Sequence, residues 1–317
     1  MRHRQGVCED RSMTTGKLPL FPLANFKRIL VVLIVGVLVP LHASENASRH
    51  SARATSPVAP VIRNASFHSA ALGRDMPYRI YLPHNYAGTT RRYPVLYLLH
   101  GLYGGYENWD TLTNLANYVA GKDLIIVMPE ADNSWYTNSA TSPQDKFEDY
   151  IAKDLIAEID AKYRTIRDRH ARAIAGLSMG GYGALKIALR NPHNFAFAGS
   201  LSGAIDAGRD LDTRVATFAP KLLEVFGAAA NPVRQNNDLF PLLQNAARSD
   251  LPYLYLGCGI DDEYFLFVNR EFVAQLSRRH DAYEYHETPG KHDWAYWDRA
   301  VQPMLATIDL MFHESLR

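Results

Sequence analysis

The chain has 317 residues, 47% of them apolar or aromatic, with 34 basic and 33 acidic side chains, a formal charge of +1 and two cysteines. That is ample material for one large core, too balanced a charge for a nucleic-acid-binding protein, and too few cysteines for a disulfide framework.

At the N-terminus, Lys27 and Arg28 precede the apolar run Ile29 to Val39. The run is too short to span a bilayer comfortably and reads as a signal-peptide core, with cleavage after Ala43 or Ala47 and with Met1 or Met13 as the start. An uncleaved anchor is the alternative. Residues 1–43 are therefore assigned to the signal, and without them 28 basic and 31 acidic residues remain, a formal charge of −3. Cys258 is then the sole cysteine, which excludes an internal disulfide. The Ser-, Ala-, Asn- and Pro-containing stretch 44–60 reads as a flexible leader, and 61–317 as one domain. Asn46-Ala47-Ser48 and Asn64-Ala65-Ser66 match glycosylation acceptor triplets.

Tyr78 to Leu82 reads as an early strand. The apolar run Tyr93 to Leu99 is a buried strand ending in the glycine-rich His100-Gly101-Leu102-Tyr103-Gly104-Gly105. Leu124 to Met128 is the next strand, and Asn133, Trp135 and Tyr136 follow it where they can line a site. Phe147, Ile151, Leu155, Ile159 and Tyr163 recur every four residues and predict one buried helix face. Arg172 to Ala175 is a short buried strand, and Tyr182 to Leu189 carries a mostly apolar helical pattern that stops at Asn191-Pro192. Phe195 to Ser200 is a strand, Gly203 to Asp250 a small cap, and Pro252 to Gly259 a strand running into Asp261, Asp262 and Glu263. A charged helix ending near His280, the alternating strand Tyr283 to Thr288, a loop with His292 and a last helix carrying His313 complete the chain. Strands alternating with helices predict a mostly parallel sheet covered on both faces.

Between the strand at Arg172 and the helix at Tyr182 lies Gly176-Leu177-Ser178-Met179-Gly180-Gly181. This G-x-S-x-G pattern in a strand–turn–helix context is a nucleophile elbow, in which small residues let strand and helix approach and leave the serine hydroxyl exposed. A serine needs a base and an orienting acid. Of the histidines downstream of the acidic turn, His292 alone has loop placement. His280, His286 and His313 read as surface or core residues, and His100, which closes a strand, as shaping its loop. Asp261 and Asp262 both remain candidates for the acid on this reasoning. The N–H groups of Leu102 and Met179 are the expected oxyanion donors. Trp109 and Trp297 read as packing beneath the loops, and Cys258 as a buried small hydrophobe. No His/Cys spacing calls for a metal and no phosphate-binding loop for a nucleotide, so no cofactor is expected.

From about Phe67 to the C-terminus these motifs, with Trp109, Asn133 to Asn138, Cys258 to Asp262 and Gly290-Lys291-His292-Asp293-Trp294 with Trp297, resemble the esterase D-like putative esterase family. That family includes tributyrin, feruloyl and acetylxylan esterases and the mycolyltransferases. The resemblance implies an α/β-hydrolase fold, a small-molecule ester substrate, Ser178 and His292 in the catalytic line, and Asp262 rather than Asp261 as the acid. Glu263 departs from the bulky apolar residue common there. An exported serine esterase, periplasmic or secreted, is the expectation, with cell-envelope acyl transfer of the mycolyltransferase type as the alternative. The residue pattern specifies neither oligomeric state nor acyl group.

Overall fold

The computed structural model describes residues 58–209 and 219–315. The expected signal segment, both cleavage positions and most of the leader lie outside the described residues, as does part of the expected cap.

Eight strands form one sheet in the order β1-β2-β4-β3-β5-β6-β7-β8, with β1 (Val61–Ser69), β2 (Arg74–Leu82), β3 (Val95–Leu99), β4 (Ile125–Pro129), β5 (Arg172–Leu177), β6 (Phe197–Leu201), β7 (Tyr253–Gly259) and β8 (Tyr283–Thr288). β1 and β2 run antiparallel to their neighbours, and every pairing from β4 to β8 is parallel. The run Val95 to Leu99 is wholly buried because a parallel strand has apolar layers on both sides. Alternation along each strand sorts the core into two layers. Val95, Tyr97 and Leu99 join Ile125, Val127 and Ile174 on one face. Leu96 and Leu98 join Ile126, Met128 and Leu177 on the other.

Short helices α1 (Asn108–Thr111) and α2 (Leu115–Tyr118) contribute Trp109 and Leu115 to the second layer. Between β4 and β5, α3 (Phe147–Asp149), a π-helical stretch Tyr150–Leu155 and α4 (Ile156–Lys162) run on continuously and pack on the first layer. A strict four-residue apolar repeat drifts off the face of a helix with 3.6 residues per turn. The π stretch, with its i→i+5 bonds, puts more residues in each turn, so Phe147, Ile151, Leu155 and Ile159 all stay buried.

After β5, helix α5 (Met179–Arg190) is buried along nearly its whole length. The described part of the cap holds α6 (Ala219–Phe226), α7 (Pro232–Asn236) and α8 (Leu239–Asn245), the last two capped by Asn231 and Asp238 side chains. This part lies over α5: Phe226 packs on Trp135 and Tyr182, and the Tyr182 hydroxyl donates to Asn237 O at 2.7 Å. Helix α9 (Leu266–Arg279) joins the first layer, and α10 (Trp294–Ser315) covers the second. Among the described residues, no helix is long and apolar enough to cross a membrane.

Candidate active site

The carboxyl ends of the parallel strands bring together the loops that carry polar side chains. Ser178 follows β5 directly with φ +52° and ψ −118°, a left-handed conformation that costs an L-residue on the order of 1–3 kcal/mol. The fold holds it there. Its N–H donates to Leu201 O at 2.9 Å, and its carbonyl accepts from Tyr182 N–H at 3.0 Å and Ala204 N–H at 3.2 Å. The turn closes because Gly176 and Gly180 lack side chains. A Cβ on Gly176 would lie 2.6 Å from the Gly180 backbone, and one on Gly180 2.5 Å from His100 O.

Ser178 Oγ lies 3.0 Å from His292 Nε2, and His292 Nδ1 lies 2.9 Å from Asp262 Oδ2. With the Nδ1 proton donated to the carboxylate, Nε2 is the free base and accepts the Ser178 hydroxyl. The Asp262 side chain is fully buried, whereas the His292 ring is 18% exposed. Asp262 Oδ1 accepts the N–H groups of Tyr264 and Phe265 at 3.2 and 3.1 Å. Burial alone would raise this carboxyl. The hydrogen bond and charge of His292, with Ser202 and the Phe265 N–H, outweigh it and hold the group below its ordinary range. Asp261 is exposed and takes part only through its backbone, its N–H donating to Gly290 O. One residue of offset thus separates a buried, hydrogen-bonded carboxylate from a solvated one.

Aromatic rings confine the imidazole. Trp297 meets it edge-on at 4.9 Å, and Phe265 packs at 4.9 Å. Trp294 links Trp297 to Trp109, whose indole N–H donates to Leu99 O at 2.9 Å at the end of β3. Beside the carboxylate opens a cleft of about 490 Å³ lined by Asp261, Glu263, Leu266, Phe267 and Lys291. Cys258 Sγ donates to Asp262 Oδ2 at 3.7 Å, and burial pushes the thiol well above its usual range.

Gly101 abuts the elbow, a Cβ there falling 3.5 Å from Ser178 Cβ, and Leu102 is the next residue. Among the described residues, no hydrogen-bond acceptor is assigned to the N–H of Leu102 or of Met179, the latter opening α5 where helical N–H groups have no internal partner. His100 is buried, with Nδ1 2.8 Å from Gly101 O and Nε2 3.0 Å from Ala131 N and 3.4 Å from Glu130 Oε1.

The expectation that Trp135 and Tyr136 line a substrate surface is corrected. Both are buried: Trp135 packs on Tyr182 and Phe226, and the Tyr136 hydroxyl donates to His100 O at 2.9 Å. Asn133 is half-buried and turns its Oδ1 to the N–H of Tyr103 at 2.7 Å. Sequence reasoning also passed over Lys186 in α5. Its fully buried ammonium donates to Tyr136 O at 2.6 Å and Thr137 Oγ1 at 2.8 Å and pairs with Glu148 at 3.1 Å. A lone lysine inside an otherwise apolar helix was the available signal.

Residues 69–308 match the family model described as putative esterase. This chain belongs to that putative esterase family. Its relatives include Esterase Rv1288 of Mycobacterium tuberculosis, 34% identical over 71% of this chain and 54% of its own length, and the acetyl esterase of Caldicellulosiruptor saccharolyticus, 28% identical over 65% of this chain and 79% of its own. The chain thus spans about half the length of the mycobacterial relative. The solved structure of fluorophosphonate-binding serine hydrolase F from Staphylococcus aureus superposes with a TM-score of 0.72 at 28% identity, covering 79% of this chain and 99% of that one. This putative esterase has the α/β-hydrolase fold.

Proposed function

We propose that this chain is an exported serine esterase that hydrolyses small carboxylic esters, short-chain acyl or aryl, through an acyl-enzyme. The observation that carries the reading is the hydrogen-bonded line Ser178–His292–Asp262, at 3.0 and 2.9 Å, on a strained elbow turn.

In this reading Ser178 Oγ attacks the ester carbonyl while His292 Nε2 takes its proton. Asp262 keeps Nδ1 protonated and stabilises the imidazolium without accepting its proton. The carbonyl oxygen, now negative, is received by the N–H groups of Leu102 and Met179. His292 then passes the proton to the leaving alcohol. Water enters, gives a proton to His292 and attacks the acyl-enzyme, which releases the acid and regenerates the serine. Export rests on the basic-then-apolar pattern Lys27 to Val39 and is checked by the N-terminal mass of the cell-expressed protein in each compartment.

The test is hydrolysis of p-nitrophenyl acyl esters of graded length and of methyl ferulate, with and without a sugar acceptor. Serine-dependent release of short acyl groups, indifferent to the acceptor, is expected. Release that stays slow until the acceptor is added would transfer the assignment to acyl transfer. Ser178→Ala and His292→Ala should each lower kcat by roughly 10⁴-fold or more, and Asp262→Asn by about 10⁴-fold. Asp261→Asn should stay within a few-fold of wild type, and equal losses at both aspartates would overturn the acid's assignment.

A further inference from the structure

The leaving alcohol of an ester takes its proton from His292 Nε2, so its oxygen has to come within hydrogen-bond reach of that atom. Side chains bordering the imidazole on its open side are therefore the ones the alcohol part of the ester meets. Much of the ring is already covered. Asp262 holds Nδ1 at 2.9 Å, and Trp297 and Phe265, both buried, pack on the ring with centroids 4.9 Å away. The third aromatic neighbour is Tyr264, its centroid 6.0 Å distant and its plane inclined by 71°, and it is 58% exposed. Among the described residues it is the one solvent-facing ring that borders the imidazole. Its backbone is tied to the same line of residues, since the Tyr264 N–H donates to Asp262 Oδ1 at 3.2 Å. The acid that orients the base thus also carries this ring.

We propose that Tyr264 is a specificity-determining residue for the alcohol part of the ester, its ring forming one wall of a subsite that takes an aromatic alcohol, a phenol. The inference rests on the reading of Ser178, His292 and Asp262 as the triad of a serine esterase. A planar aryl group laid against the exposed ring removes both surfaces from water and gains the aromatic contact besides, whereas a methyl group is too small to cover it. The contact belongs to the ring and not to the hydroxyl. It acts in acylation alone, because the alcohol has departed before water attacks the acyl-enzyme.

The experiment compares wild type, Tyr264→Ala and Tyr264→Phe on esters varied at one end at a time. Methyl and phenyl acetate share the acyl group, and phenyl acetate and phenyl butyrate share the alcohol. The quantity read is kcat/KM, which covers every step up to the loss of the alcohol. Tyr264→Ala should lower it about 5- to 20-fold on phenyl acetate, keep methyl acetate within about twofold, and leave the ratio of phenyl acetate to phenyl butyrate unchanged. Tyr264→Phe should match wild type. Labelling of Ser178 by an alkyl fluorophosphonate, whose leaving group is fluoride, reports the triad itself and should keep its wild-type rate in both variants. Equal losses on methyl and phenyl acetate would make the ring a support of His292, and a change that follows acyl length would put it on the acyl side. A loss in Tyr264→Phe equal to that in Tyr264→Ala would move the contact to the hydroxyl. Each of these overturns the proposal, as does a wild-type kcat/KM throughout. Failure of the fluorophosphonate to label wild-type Ser178 would instead overturn the esterase reading, and this proposal with it.

Discussion

The elbow at Ser178 and the loop from Glu130 to Thr137 stand next to one another at the carboxyl end of the sheet and are built by opposite means. The elbow is made by removing atoms: Gly176 and Gly180 let α5 press against β5 and the His100 carbonyl. The loop is made by adding polar partners: Lys186 from beneath, Glu130 along its start, His100 and Tyr103 beside it. Backbone strain exists in both; at the elbow close packing enforces it together with the backbone hydrogen bonds of Ser178, in the loop side-chain hydrogen bonds do. A steric device fails when volume is added, whereas a polar one fails when a single partner is lost and its mate stays buried.

The sharpest way to break this contrast is at Lys186. Lys186→Met leaves Tyr136 O without its donor and Glu148 with Arg190 alone. A loss of roughly 3 kcal/mol in denaturant unfolding is expected. Adding Glu148→Gln should restore part of it, because the charge left behind is neutralised. Gly180→Ala comes next, at about 2–3 kcal/mol with reduced kcat. No single second substitution should restore it, since the clashing atoms, His100 O and Leu99 O, are backbone. Rescue of Gly180→Ala by a side-chain change elsewhere would erase the distinction between the two loops.

The smallest effect belongs to Glu130 and is read against pH. Burial would raise its carboxyl, but His100 and the N–H groups of Asp132 and Tyr106 bring it down to about 2 from the usual 4.5. The unfolded chain therefore takes up this proton first. The stabilisation is complete above the unfolded value and is lost as pH falls from about 4.5 toward 2. Glu130→Gln should flatten the fall of stability across that window, read by denaturant unfolding at a series of pH values. An unchanged slope would show that the carboxylate does not brace its loop.

The same contrast explains what was legible in the sequence. Steric demands leave local traces: the glycines of the elbow, the apolar run of β3 and the alternation of β8, read as Tyr283 to Thr288, coincide with the structure. His292 stood out by its loop placement, whereas Asp261 and Asp262 competed on the residues alone and only the family resemblance favoured Asp262; the structure brings Ser178, His292 and Asp262 into one line. Polar support leaves weaker traces. Trp135 and Tyr136 follow a strand that points at the site, yet their burial depends on Tyr182, Phe226 and His100, all remote in sequence. β1 went unread because its residues are mostly exposed and five of the nine are polar, with only Ala65, Phe67 and Ser69 turned toward the core. The π stretch at Tyr150 was present as a repeat of four rather than 3.6, a discrepancy that marks the altered winding.

The line through His292 also has a kinetic meaning. Ser178 and His292 are 114 positions apart, and His292 sits just beyond β8, the outermost strand on its side of the sheet. Contacts of such long range are the slow ones, since the chain loses loop entropy before it gains the bond. The elbow of Ser178 is bounded by β3, β5 and β6, whereas its base requires β7 and β8 to be in place as well. In a refolding chain the return of nucleophilicity therefore reports the docking of the sheet's far margin.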